Sequence, residues 1–163
     1  MGVLLGIKSK GVVLMNPRSW FRACVFVLAA TPLFAQEPAA VGRIKIASGS
    51  VFIVRAGGLL PARAGSAVFE ADGLRTGPDG RLGITLRDDT RVSLGPSSEV
   101  RLDRFRYAPA DSQLGLVLKV LRGVAAYVSG RIAKLSPDSI RLETPEAIVG
   151  VRGTTVALRV TPE

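Results

Sequence analysis

The feature that most constrains this fold is a two-residue alternation of apolar and polar side chains from residue 41 onward. It is visible in residues 43–46 (RIKI), 81–87 (RLGITLR), 91–94 (RVSL) and 99–103 (EVRLD). Because successive side chains of a strand point to opposite faces of a sheet, this period predicts strands with one buried face. Clusters of Gly, Pro, Asp and Ser separate the segments. We therefore expect an all-β fold of about ten short strands, arranged as an antiparallel sandwich or roll or as a short β-solenoid.

The order of the segments also predicts some of the strand pairing. We expect residues 81–87, 91–94 and 99–103 to form a three-stranded antiparallel meander with turns at 88–89 and 95–98. One face of this meander is apolar and the other carries Arg, Thr, Ser and acids. Such a pattern is typical of antiparallel strands that pack on one side only.

The stretch 114–128 (LGLVLKVLRGVAAYV) fits both a strand and a helix with one apolar face. Gly115 and Gly123 each cost a helix about 1 kcal/mol relative to alanine, and the valines favour strands. We therefore expect two strands that meet near Arg122 and Gly123. Further strands are expected at 140–143 and 155–160.

The first 35 residues have the three parts of a secretory signal peptide. Arg18 and Arg22 form a basic front, and residues 23–34 (ACVFVLAATPLF) form an apolar run of 12 residues. Such a run is short of the roughly 20 residues that cross a bilayer as a helix. We therefore expect a signal helix that is cleaved between Ala35 and Gln36.

This reading divides the chain into a signal peptide at 1–35, a linker at 36–40 and a β domain at 41–163. Met15 is an alternative start, since the 14 residues before it add nothing that a signal needs. Cleavage removes the only Cys and the only Trp, so the exported domain is free of disulfides. We expect a periplasmic or secreted protein with no stable membrane span after cleavage.

Composition excludes several kinds of site. The chain has no His and one Cys, which removes Ser/His/Asp and Cys/His catalytic arrangements and His-containing zinc sites. The acids lie mostly in predicted turns, where Asp accepts hydrogen bonds from its own turn backbone, and their spacing is not that of a calcium loop. A paired-carboxylate hydrolase would need two acids facing each other in a cleft. We expect no enzyme activity, no metal and no cofactor.

The basic residues do not indicate nucleic-acid binding. The chain has 22 Lys and Arg against 13 Asp and Glu, but four of the bases lie in the first 35 residues. The others are spread singly along the predicted strands. Nucleic-acid recognition needs a basic stripe with stacking aromatic side chains, so no nucleic-acid partner is expected.

Several ordered motifs resemble the FecR domain, a periplasmic β module named after the ferric-citrate sensor. They are residues 49–51 (GSV) in an opening hairpin, 69–77 (FEADGLRTG), 80–94 (GRLGITLRDDTRVSL), 121–123 (LRG) leading to 129–131 (SGR), and 144–154 (TPEAIVGVRGT). Thr90 stands where the family hairpin usually has Gly, so we expect a different turn geometry there. The motif residues, expected to be structural, are Asp72, Arg75, Thr76, Gly77, Thr144, Pro145, Gly150, Arg152, Gly153 and Thr154.

The resemblance implies an envelope module linked to signalling and brings no ligand-binding residues with it. Full-length sensors of this kind carry a cytoplasmic anti-sigma segment, which we expect this chain to lack. Buried arginines are costly without partners, so Arg75 and Arg152 should each pair with an acid or a turn carbonyl. Any connection with iron should be indirect.

Two functions are compatible with these sequence features. The first is a non-enzymatic protein-interaction module of the periplasm or cell envelope, whose exposed strand edges or polar face dock another envelope protein. The alternative is a module that binds envelope polysaccharide through arginines on the polar strand face, namely Arg81, Arg91 and Arg101.

Overall fold

Strands occupy almost all of the segments in which the alternation predicts them. The computed structural model describes residues 39–151 and 155–161. The expected signal peptide, its Ala35 and Gln36 cleavage site, and the motif residues Arg152, Gly153 and Thr154 lie outside the described residues. The all-β prediction is confirmed, with one short helix beside the strands.

Twelve strands and one α-helix are formed within the described residues. They are β1 (Gly42–Ser48), β2 (Val51–Arg55), β3 (Gly58–Pro61), β4 (Ala67–Val68), β5 (Gly73–Thr76), β6 (Arg81–Leu86), β7 (Arg91–Leu94), β8 (Glu99–Ala108), β9 (Gln113–Val128), α1 (Arg131–Leu135), β10 (Ile140–Glu143), β11 (Ile148–Gly150) and β12 (Thr155–Val160).

The strands form one curled sheet that folds into two layers around a shared core. The front sheet has the order β12-β9-β7-β6-β1-β4, and the back sheet has the order β3-β2-β5-β8-β9-β10-β11. All pairs are antiparallel except β9 with β10. Ile44, Ile84 and Tyr127 of the front sheet belong to the same buried cluster as Leu74 and Leu118 of the back sheet. The alternation therefore places one side of each layer in a common core.

Strand β9 belongs to both layers, which corrects the prediction of two strands in this stretch. Its first part pairs with β8 and β10, and its last six residues pair with β7 and β12. The change of layer falls at Gly123, whose φ is +81°. Glycine adopts this left-handed region without a Cβ penalty. The predicted break is therefore a bend within one continuous strand.

The predicted three-stranded meander is wrong. β6 and β7 form the expected hairpin, but β7 pairs on its other side with β9, while β8 pairs with β5 and β9 in the back sheet. The turn at 95–98 carries the chain from the front sheet to the back sheet. The opening hairpin expected at 49–51 is also not formed. This turn is a second crossing from the front sheet to the back sheet, because β1 pairs with β4 and β6 whereas β2 pairs with β3 and β5.

The turn between β6 and β7 uses the hydroxyl of Thr90 for hydrogen bonds that a glycine at this position could not form. Asp89 has a φ of +67°, and the buried Thr90 hydroxyl donates to Asp88 Oδ2 at 2.7 Å and accepts from the Gly130 N–H at 3.1 Å. Asp88 Oδ2 also accepts from the Ile132 N–H at 3.4 Å, in the first turn of α1. The turn thus positions the segment that follows β9.

Candidate functional site

Asp72 is a buried carboxylate whose partner is Arg55 at the end of β2. Arg55 Nε and Nη2 donate to Asp72 Oδ1 and Oδ2 at 2.8 and 2.7 Å, and the Phe69 N–H donates to Oδ2 at 2.8 Å. The guanidinium also lies 4.4 Å from the centre of the Phe69 ring. The hydrogen bond to Asp72 raises the pKa of Arg55. Asp72 is 1% exposed, so it holds β2 to the turn before β5 and offers no free oxygen at the surface.

Arg75 lies on the outer side of β5 and pairs with Glu99 on the neighbouring strand β8. Arg75 Nε and Nη2 donate to the two Glu99 oxygens at 3.1 and 2.9 Å. These hydrogen bonds raise the pKa of Arg75. Arg122 of β9 approaches the same carboxylate at 3.2 Å. The three side chains form a row across three strands.

Thr76 and Gly77 lie where the chain crosses between the two layers. The buried Thr76 hydroxyl donates to the Gly95 carbonyl at 2.6 Å and accepts from the Ser98 N–H at 2.9 Å. The Gly77 N–H donates to the Ser50 carbonyl at 2.8 Å, and a Cβ at position 77 would lie 2.8 Å from the Ser50 Cβ. These two motif residues therefore connect the three turns that join the layers, namely those between β1 and β2, between β5 and β6 and between β7 and β8.

The last motif forms the turn between β10 and β11. The Thr144 hydroxyl accepts from the Ala147 N–H at 3.0 Å, and the Thr144 N–H donates to the Ala147 carbonyl at 2.8 Å. Pro145 is exposed within this turn, and Gly150 lies opposite Arg141 on the exposed strand β11. The described part of the motif is therefore a surface hairpin at the edge of the back sheet.

The outer face of the back sheet, here called the back face, carries acidic side chains that pair with neighbouring basic ones. Besides the row at Glu99, Asp103 lies between Arg101 and Lys119, and Lys119 also reaches Glu143 at 3.3 Å. The hydrogen bond from Arg101 and the contact with Lys119 lower the pKa of Asp103 against a smaller opposing effect of burial. Most charged groups of this face are thus already paired within the sheet.

The outer face of the front sheet, here called the front face, has a different electrostatic character. Its strand segments, 42–48, 67–68, 81–86, 91–94, 124–128 and 155–160, contain no Asp or Glu. They contain five exposed basic residues, Arg43, Lys45, Arg81, Arg91 and Arg159. No described acid forms a salt bridge with any of these five. The front face is therefore an uncompensated basic surface.

The structure separates the three arginines that the sequence suggested for polysaccharide binding. Arg81 and Arg91 lie on the front face, on the adjacent strands β6 and β7. Arg101 lies on the back face and is paired with Asp103. Sequence reasoning missed Arg159, which lies on the front face opposite Val124. The alternation of residues 155–160 could have shown that Arg159 faces outward, but not which layer it joins.

The buried acids of the described residues are held in place by the backbone around them. Asp72 and Asp88 are the buried carboxylates of the described residues, and each accepts hydrogen bonds from nearby backbone N–H groups. Across residues 39–151 and 155–161, no group of three or more His, Cys, Asp or Glu is placed to hold a metal ion. Burial raises the pKa of Tyr127 to about 12, and its polar neighbours are Thr90 and Asp88. The surface, rather than an enclosed pocket, is the candidate functional region.

Together, these features define a small β module with exposed strand edges, one outer face on which most charged groups are paired and one basic outer face. The family model described as FecR protein matches residues 72–163, more than half of the chain. The chain therefore belongs to the FecR family. Comparisons with curated proteins and with solved structures gave no match.

Membership of the family has a coarse functional consequence. FecR proteins are a regulatory, signalling family associated with the cell envelope, so this is a signalling-related domain. No helix in the described part of the chain is long and apolar enough to span a membrane. The resemblance deduced from the motifs is confirmed, and the match includes the ten motif residues from Asp72 to Thr154 but not the motif at 49–51.

Proposed function

We propose that this protein is exported to the cell envelope and works there as a non-enzymatic module that binds another envelope protein. The observation that carries the proposal is that, within residues 39–151 and 155–161, both layers end in strands paired on one side only, β3 and β11 in the back sheet and β4 and β12 in the front sheet. Such edges present free backbone N–H and C=O groups, to which a partner can add a strand. The signalling character of the family supports this reading.

Photo-crosslinking in the producing cell tests the interaction. A photoreactive phenylalanine analogue is placed at one edge position at a time, Leu59 on β3, Ile148 on β11 or Ala157 on β12. Leu135 of α1, 58% exposed, is the matched control for Ile148, 69% exposed. We expect at least one edge position to give a covalent adduct with a defined envelope protein that Leu135 does not give. Absence of any edge-specific adduct counts against the proposal.

Export is tested by the N-terminus of the protein recovered from the cell envelope. Cleavage after Ala35 predicts a first residue of Gln36 and an emission spectrum without tryptophan, because Trp20 is the only Trp. An intact mass that retains Trp20 in the envelope fraction contradicts removal of the signal. This measurement is independent of the crosslinking result.

A polysaccharide-binding function is the second candidate, and the basic front face favours it. Arg81 and Arg91 are exposed and lack acidic partners among the described residues. The double change Arg81→Ala and Arg91→Ala should abolish binding to purified anionic envelope glycan. Arg101→Ala is the control, because Arg101 lies on the back face and is paired with Asp103. An equal loss of glycan binding in the double variant and in Arg101→Ala would contradict a polysaccharide site on the front face.

A further inference from the structure

Within the part of the chain that the structure describes, strand β12 is the last strand of the front sheet, and one row of its backbone groups has no partner strand. It pairs with β9 along its whole length, from Thr155 opposite Val128 to Val160 opposite Gly123. No other described strand pairs with it. In an antiparallel sheet, alternate N–H and C=O groups of an edge strand point away from its neighbour. β12 contains neither Gly nor Pro, so nothing in its sequence interrupts these groups.

The inner side of β12 leaves the core incompletely covered. Val156, Leu158 and Val160 pack against the core but are only partly buried. Their neighbours on β9, Tyr127 and Ala125, are 2% and 4% exposed. Apolar side chains on a further strand would remove the remaining apolar surface of β12 from water, which is favourable.

The outer side of β12 is basic. Thr155, Ala157 and Arg159 are exposed on the front face, and Arg91 lies two strands away on β7. Neighbouring strands are about 4.8 Å apart, so an outward side chain on an added strand would lie beside Arg159. An acidic side chain at that position would meet a positive charge that no described acid compensates.

We infer that β12 is a docking edge for an extended segment of a partner protein in which apolar residues alternate with acidic ones. The inference rests on the proposed protein-binding function and names the edge and the chemistry of the segment. The apolar residues of the segment complete the core beside Val156, Leu158 and Val160. The acidic residues lie on the front face beside Arg159.

The other edges fit this segment less well. β4 has two residues and β11 has three, so each offers few backbone groups. β3 has four exposed residues that end in Pro61 and does not belong to the basic front sheet. β12 combines length, half-buried inner side chains and a basic outer face.

The probe is a synthetic seven-residue peptide of alternating Val and Asp, added to the purified exported protein. We expect saturable binding in fluorescence anisotropy and slower amide hydrogen exchange in residues 155–160.

Arg159→Glu should weaken binding by about tenfold, because one attraction at strand-neighbour distance becomes a repulsion. Arg104→Glu is the matched control, since Arg104 is exposed on the back face and forms no salt bridge with a described acid. It should change binding by less than about twofold.

Altered peptides separate backbone pairing from charge. Alternate backbone nitrogens of the peptide can be methylated in two patterns, and only one of them removes the N–H donors that face β12 and places methyl groups against that edge. The peptide with that pattern should not bind, and the peptide with the other pattern should bind. Replacement of Asp by Lys should weaken binding more strongly at low salt than at high salt. Binding that leaves the exchange of β12 unchanged, or that Arg104→Glu weakens as much as Arg159→Glu, overturns the inference.

Other occupants would give different results. A concentration-dependent dimer in sedimentation, with β12 amides protected before peptide is added, would assign the edge to a second copy. Glycan binding that depends on Arg81 and leaves β12 exchange unchanged, together with failure of the peptide, would assign the front face to polysaccharide. Both results overturn the inference. An adduct formed only at Leu59 or Ile148 would contradict it while leaving the proposed protein-binding function intact.

Discussion

Gly123 and Ser98 lie so close together that no side chain fits between them. A Cβ at position 123 would lie 2.3 Å from Ser98 Oγ and 2.5 Å from Ser98 Cα. Ser98 Oγ accepts from the Val124 N–H at 2.8 Å and donates to the Val124 carbonyl at 3.1 Å. This contact holds the bend of β9 against the turn that carries the chain from β7 to β8.

Gly123→Ala should therefore be strongly destabilising. The change adds a steric clash with the backbone of Ser98 to the strain of a φ of +81°. We expect a loss of more than about 3 kcal/mol in the free energy of unfolding, measured in urea. Gly57→Ala is the control, because Gly57 has a φ of +78° but nothing within 4 Å of an added Cβ. It should cost about 1 kcal/mol, the strain alone, and equal losses would contradict this account.

The two Arg–carboxylate pairs of the motif region should differ in their contribution to stability. Arg55→Ala leaves the carboxylate of Asp72, 1% exposed, without its charged partner. We expect a loss of about 2 kcal/mol in urea unfolding. Arg75→Ala should cost less than about 1 kcal/mol, since the Glu99 side chain is 18% exposed and keeps Arg122. A larger loss of unfolding free energy in Arg75→Ala than in Arg55→Ala would show that burial of the acid does not determine the loss.

The hydroxyl of Thr76 should be required for stability. Thr76→Val keeps the shape but leaves the Ser98 N–H and the Gly95 carbonyl without that hydroxyl. Unsatisfied buried groups cost about 1 to 3 kcal/mol, and the midpoint of thermal unfolding should fall accordingly. Thr85→Val, on the front face, is the control and should change stability by less than about 0.5 kcal/mol.

Tyr127 should make the protein sensitive to alkali. Burial raises its pKa from 10.0 to about 12. Between these values, the unfolded chain has released a proton that the folded protein retains, so stability present below pH 10 is lost as the pH rises towards 12. Tyr127→Phe should flatten this fall in stability and remove the late step from the phenolate absorbance titration.

The same substitution should have little effect at neutral pH. Tyr127 Oη is buried and has no hydrogen bond of normal geometry with the described residues. Its replacement therefore removes no satisfied polar group, and we expect a change within about 1 kcal/mol at pH 7. A much larger loss at pH 7 would show that the hydroxyl has a partner in solution.

The sequence predicted the strands well because alternation is a local property. Residues 81–86 and 91–94 are strands with the expected inner and outer faces, whereas the break predicted near Gly123 is a bend within one continuous strand. The partner of each strand was less predictable. Both a meander and a crossing are compatible with the turn at 95–98, and the crossing is fixed by contacts of Ser98 with Thr76 and Val124, 22 and 26 residues away.

The charged residues of the two outer faces were also only partly predictable from the sequence. The sequence by itself determined that Arg91 and Arg101 face outward and that the motif residues recur in family order. Only the tertiary structure decided that Arg101 faces Asp103 and Lys119 on the back face, while Arg91 shares the front face with Arg159. The reason is physical: a period of two sets the side of a strand on which a residue lies, whereas the neighbouring strand, and with it the charge partner, depends on where a distant part of the chain packs.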